Sequence, residues 1–248
     1  MEVQLSDLVE VPSEAQVQAA QARRDQRKQR QQAVGEVRRA LVLEAARSVF
    51  EELGLEGASI REIAKRAGYT PGALYSYFES KEAIYGALLE ASLVRLQEAV
   101  DQAKAVKNNP AKTLAVKAQA WFNFFFQNPR DLDLGFYLVH GMAPRGLTAE
   151  LNQQLNDQLL AALQPCEDAM LALGLDAAAA RQENAALFAH GVGVLLLHHT
   201  RRIKLFAQQP EALFELYLNH LIARLAPQVA QAQASAKAAV DQADLFGR

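Results

Sequence analysis

The 248-residue chain carries one cysteine, Cys166, which excludes an internal disulfide framework and a cysteine-based metal site. No apolar run reaches the ~18 residues of a membrane span; the longest lies near residues 191–197. The N-terminus is polar and acidic, without the basic-then-apolar pattern of a secretory signal. Strand patterning is also missing: β-branched runs are scarce and nothing alternates with a period of two. The enzyme constellations are absent as well. There is no P-loop, no G-x-G-x-x-G and no G-x-S-x-G elbow. The five histidines (His140, His190, His198, His199, His220) make no H-E-x-x-H or i,i+4 metal pair. These absences leave a cytoplasmic all-α chain with no catalytic, metal or cofactor site and no membrane partner. With 50% hydrophobic residues it can pack one large or two small domains.

The net charge of −2 favours no nucleic acid by itself, but its distribution does. Between Arg23 and Arg39 seven basic residues face only Asp25 and Glu36, a local +5 that leaves −7 for the rest of a chain totalling −2. A basic arm on a mildly acidic body suits DNA held at one end. Pro12-Ser13-Glu14 can open a helix through this stretch. It offers few large apolar residues to pack, so residues 1–35 are expected to form a flexible, at most frayed, arm.

The most informative stretch is residues 59–81, SIREIAKRAGYTPGALYSYFESK. Ser59 and Glu62 have capping-box spacing. Ile60, Ile63, Ala64 and Ala67 form one apolar stripe, and Gly68 sits where a left-handed helix stop wants no side chain. Thr70 and Pro71 then restart a helix as N-cap and first residue. Leu74 and Phe78 can pack back on the first helix, leaving Thr70, Gly72, Ala73, Ser76 and Tyr77 outward. Such a slim second helix fits a major groove about 12 Å wide. Periodicity alone fits an ordinary helical hairpin equally well, with its tyrosines covering a core.

The wording of the motif adds more. I-A-x-x-A-G-Y-T-x-G-x-L-Y-x-Y-F-x-x-K, from Ile63 to Lys81, closely resembles the signature of the tetracycline-repressor (TetR) family. The preceding L-x-A-A-x-x-x-F-x-x-x-G at Leu43, Ala45, Ala46, Phe50 and Gly54 fits it too, so the resemblance covers about residues 37–90. It implies a three-helix DNA-binding head at 36–82 and a helical body at 83–227 that binds small effectors, followed by a flexible tail at 228–248. In the head, Thr70 is expected to clamp a phosphate, with Tyr75, Tyr77 and Lys81 adding phosphate contacts. Arg61, Pro71, Gly72 and Ala73 are expected at or near base edges, beside Ser59 at the start of the first motif helix.

Helix 1 of the head is expected over 37–53, burying Val42, Ala46, Val49, Phe50 and Leu53. A long helix from Ser80 to about Val106 then connects head and body. Asn109-Pro110 and Asn128-Pro129 open two further helices, Thr148 a third bent at Pro165, and Asp176 a fourth reaching about residue 206. Gln209-Pro210 opens the last, which Pro227 ends. Five of the six residues at 121–126 are aromatic and cannot all face one way. The expected effector site is Trp121, Phe125, Phe136, Tyr137, His140 and Phe188, an apolar lining with polar anchors. It suits a small apolar or amphipathic molecule such as a fatty or aromatic acid or its thioester.

One head reads few base pairs, so the expected form is a homodimer on a palindromic operator, released by the effector as a repressor. Leu195, Leu196, His199, Leu213, Leu216 and Tyr217 are the expected dimer face, in a four-helix arrangement. The competing reading is an all-helical ligand-binding or interaction protein that does not bind DNA.

Overall fold

The computed structural model of the chain describes residues 14–136 and 147–225, so the expected tail at 228–248 lies outside the described residues. Among these the regular elements are all helical, as the missing strand pattern implies. The chain divides into two compact units, Met1–Ile84 and Tyr85–Arg248.

The first unit holds α1 (Glu14–Gly57), α2 (Ile60–Ala67) and α3 (Pro71–Tyr75). Gly54, at φ 74 and ψ 167, breaks α1 near its end, in a conformation that a side chain would strain. Before it, Val42, Ala46, Val49 and Phe50 are buried as the stripe requires. Leu53 is not: it is 48% exposed, because the break at the next residue ends the packed stripe at Phe50. In its N-terminal half α1 opens at Glu14, where Pro12-Ser13-Glu14 allows a helix start, and runs unbroken to Gly54, its residues 21–34 exposed along the way.

α4 (Lys81–Gln102) carries the boundary between the units and ends one turn earlier than expected. The second unit continues with α5 (Pro110–Gln127), α6 (Pro129–Phe136), α7 (Ala149–Ala172) and α8 (Ala177–His199). Asn109, Thr148 and Asp176 each cap their helix by accepting a backbone N–H three residues on, as their sequence context predicts. α7 passes through Pro165 as one helix. α8 stops seven residues short of the expected 206. Arg201 takes a left-handed φ of 60, and a short 3-10 helix, Arg202–Phe206, follows. Nothing in that run of non-glycine residues announces a left-handed turn. The final helix, α9, spans 210–225.

The aromatic run of α5 distributes its rings as crowding demands. Trp121 and Phe122 are fully buried, and both meet Phe214 of α9, Phe122 by stacking at 4.1 Å and Trp121 edge-on at 5.5 Å. Trp121 also lies 5.6 Å from Phe188 of α8, while Phe126 packs on His198 at 4.8 Å. Glu183 and Arg224 join α8 to α9 through two parallel bonds of 2.7 Å. Buried Asp131 of α6 is paired with Arg95 of α4, and the Tyr85 hydroxyl donates to the Leu134 carbonyl. Lys117 is buried too, its Nζ donating to the Val100 carbonyl at 2.7 Å, where the last turn of α4 favours a cation.

Gly191 is the close-approach point of this core: a Cβ there would stand 2.1 Å from Cη2 of Trp121. Alanine normally favours a helix over glycine by about 1 kcal/mol. Here Gly191→Ala is expected to reverse that sign, overpacking against a rigid ring and lowering the unfolding free energy by about 1–3 kcal/mol. Urea denaturation of the two proteins checks it; a variant as stable as the parent contradicts this packing.

Candidate nucleic-acid interface and helical body

The head is built by three local devices. Ser59 Oγ accepts the Glu62 N–H at 3.2 Å, which starts α2. Gly68 takes φ 74, and the Tyr69 N–H reaches back to the Ala64 carbonyl at 2.9 Å, which stops it in a Schellman-type turn. Thr70 Oγ1 then accepts the Ala73 N–H at 3.3 Å, with Pro71 as first helical residue, which starts α3. Leu74 and Phe78 are buried, so the opposite side of α3 must face out. Thr70, Pro71, Gly72 and Tyr75 are exposed there, with Ala73 and Tyr77 half-buried. Arg61 is exposed on α2; Ser59 and Lys81 are half-buried.

Gly72 separates an internal from an external demand. A Cβ at this position would meet nothing within 4 Å, and its φ is not in the left-handed region. The fold therefore gives no reason for glycine inside a helix, where it costs about 0.5–1 kcal/mol relative to alanine. A close partner outside the chain would.

The basic residues divide by role. Arg66 is exposed but engaged within the head. It grips Glu52 of α1 through bonds of 2.6 and 2.7 Å and also reaches Ser48 Oγ at 2.7 Å, bracing α2 on α1. That bond holds the Glu52 carboxyl below its ordinary range and pushes Arg66 further up. Lys81 Nζ donates to the Ala58 carbonyl at 3.2 Å, tying the start of α4 to the turn before α2. Arg38 of α1 hydrogen-bonds the Tyr77 side chain, which raises its pKa further. Arg39 lies over the Phe78 ring, 4.9 Å from its centroid. Spacing gave no sign of the Arg66, Arg38 and Arg39 contacts, because each crosses between elements.

In the body, Trp121 and Phe188 of the expected effector set are in contact. Phe125 is buried edge-on against Phe124 at 5.3 Å. Phe136 ends α6. Its side chain, Tyr137 and His140 lie outside the described residues. Trp121 is a wedge rather than the wall of an open cleft, being fully buried between α5, α8 and α9. Its Nε1–H and the Oδ1 of buried Asn184 have no hydrogen-bond partner among the described residues. Such orphaned buried groups are costly and call for a partner. Cys166 is inert by contrast, burial pushing its thiol up to about 12.

α8 and α9 frame an apolar groove of about 550 Å³ that includes His190, Gly193, Leu196, Leu197 and Leu213. Leu196 and Leu216 are 42% and 51% exposed. His190 stacks on Tyr217 at 3.9 Å; burial lowers the His190 pKa against an opposing backbone bond at Leu213. Burial and neighbouring His198 likewise lower His199. Leu195 points the other way and is fully buried within its own chain, so it backs this face rather than presenting it. Among the described residues no cluster of His, Cys, Asp and Glu could hold a metal ion, and no helix is long and apolar enough to cross a membrane.

A capped helix-turn-helix on an all-helical chain defines a DNA-binding transcriptional regulator, and comparison with known proteins agrees. Residues 42–88 match the model of the bacterial regulatory proteins of the tetR family. The HTH-type transcriptional activator FasR of Mycolicibacterium smegmatis is 31% identical over 160 residues, covering 62% of this chain and 69% of FasR. The chain belongs to the TetR family, whose members are DNA-binding transcriptional regulators, not enzymes. Among solved structures, the regulatory protein SCO4313 superposes with a TM-score of 0.63 at 21% identity, covering 78% of this chain and 98% of that one. FadR of Bacillus subtilis, in complex with stearoyl-CoA, gives a TM-score of 0.59 at 21% identity over 74% of this chain and 97% of its own. At such identities these two likenesses concern the fold.

Proposed function

We propose that the protein is a homodimeric repressor that grips a palindromic operator with two heads and lets go when its body takes an apolar or amphipathic acid or thioester. The observation that carries the DNA face is Gly72, on the outward side of α3, where the fold leaves room for a side chain and the sequence supplies none. Around it, Arg61, Pro71 and Ala73 approach base edges. Ser59, Thr70, Tyr75, Tyr77 and Lys81 hold phosphates, with Arg38 keeping Tyr77 in place. α3 is only five residues long, so its dipole is small and the hydroxyl of Thr70 is the main anion donor there. For dimerisation, exposed Leu196 and Leu216 and half-buried His199, Leu213 and Tyr217 pair in a four-helix arrangement, with Leu195 behind them.

For the effector, the set Trp121, Phe125, Phe136, Tyr137, His140 and Phe188 supplies the apolar contact. The Trp121 N–H, without a partner among the described residues, is the donor an acyl carbonyl would use. The stearoyl-CoA held by a regulator of the same fold supports an acyl thioester as the first candidate. The ligand acts by preferring one setting of α4 over another; moving that balance from 1:99 to 99:1 takes about 5.5 kcal/mol of differential affinity.

Gly72→Ala should leave the protein at least as stable as the parent, gaining up to about 1 kcal/mol of helix propensity, yet weaken DNA binding more than tenfold. Denaturation and a DNA-shift titration of the same sample separate the two effects. Unchanged DNA affinity would remove α3 from the interface.

Trp121 is the only tryptophan, so its emission reports the effector site directly. Titration with stearoyl-CoA and with shorter acyl thioesters should change that emission and release bound DNA over the same concentration range. DNA that stays bound while every acid and thioester leaves the emission unmoved would refute the effector reading.

A further inference from the structure

We propose that the N-terminal half of α1 is a phosphate-binding rail that grips duplex DNA beyond the base pairs under the head. The proposal rests on the head being the DNA interface and extends that interface along a second element. Three observations carry it. The helix is continuous from Glu14 to its break at Gly54, so the arm has a fixed direction set by the head. Its charge is one-sided. At about 100° per residue, the seven bases between Arg23 and Arg39 fall within roughly half of the circumference, and Asp25 and Glu36 fall in the other half. That basic half is also the side on which α1 packs in the head. Val42, Ala46 and Val49 share its azimuth, and its last two bases, Arg38 and Arg39, meet Tyr77 and Phe78 just after α3. Followed back from Arg38, the stripe therefore overhangs the α3 side of the head, its exposed bases Arg30 to Arg23 standing roughly 12–22 Å further along the helix.

The composition of the stripe selects its partner. Residues 21–33 contain no aromatic and no large aliphatic side chain, only Arg, Lys, Gln, Ala and one Asp. A protein interface needs buried anchors, and a single-stranded nucleic acid needs rings to stack on. Neither is present. Closely set cations on one side of a helix, with amide side chains among them, suit the phosphates of a duplex, bound without regard to sequence. The rail would add affinity and length of contact while leaving base choice to the head.

The test uses the full chain and two variants. One replaces Arg23, Arg24, Arg27, Lys28 and Arg30 by Gln, which keeps helix propensity but removes the charge. The other replaces the four arginines by Lys, which keeps the charge. Binding is measured on a random-sequence duplex of about 40 base pairs over a series of salt concentrations, with circular dichroism to check that the helix persists. The Gln variant should bind at least tenfold more weakly. Its log K against log salt should be shallower by up to about 4.5 per protomer, at about 0.9 for each phosphate that the variant no longer neutralises. The Lys variant should match the parent. An unchanged salt slope for the Gln variant overturns the rail while leaving the head as the interface. A Lys variant as weak as the Gln variant overturns an electrostatic rail as well. A changed oligomeric state with an unchanged slope would place a protein on the stripe instead of DNA. If the parent does not bind the duplex, the head fails as the interface and the rail with it.

Discussion

The left-handed residue between α2 and α3 is the constraint on which the head depends. Gly68, at φ 74, turns the chain sharply enough for Leu74 and Phe78 to come back under α2. Burying those two side chains fixes the roll of α3, and the roll decides that Gly72 and Tyr75 face out. Any L side chain at Gly68 would be strained even though a Cβ there meets nothing. The Arg66 fork on Glu52 and Ser48 then holds α2 against α1 from the other side. The outward face of α3 is thus rigid before any partner arrives, which limits the entropy lost on binding.

The body has its own fixed point. The indole of Trp121 presses on the backbone of α8 at Gly191 and on Phe214 of α9, the two helices that carry the exposed leucines. A bulky, fully buried ring set between the proposed effector site and the proposed dimer face cannot move without disturbing them, because packed interiors shift between discrete arrangements rather than deforming smoothly. This gives the proposed effector a physical route to the proposed subunit contact within the body.

Much of the architecture was legible because helix ends are written in local chemistry. Ser59, Thr70, Asn109, Thr148 and Asp176 announced helix starts, and Gly54 and Gly68 announced breaks. Each works through a bond to a residue a few positions away. What escaped depends on distant neighbours. In the run from Val194 to Leu197, side-chain type cannot say which leucine faces inward; packing buries Leu195 and leaves Leu196 exposed. Leu53 sits on the apolar stripe but beside a break, and the turn at Arg201 uses a residue that rarely takes positive φ. The length of α1 is not written in apolar spacing: its N-terminal half has few apolar partners, but Ala, Gln and Arg are good helix formers and the stretch joins a packed helix that serves as its nucleus. The effector set was the least legible part. Aromatic residues mark core and pocket alike, and Trp121 is a wedge whose N–H finds no acceptor among the described residues.

The central claim is that two copies of this head, related by a two-fold axis, read one DNA site. Selection of bound fragments from a random-sequence duplex library by the full chain, followed by sequencing, addresses it most directly. The account predicts an inverted repeat whose half-site centres lie about 34–36 Å, or a multiple of that, apart along the duplex. Enrichment of a single unrepeated site, or of no sequence at all, would contradict it.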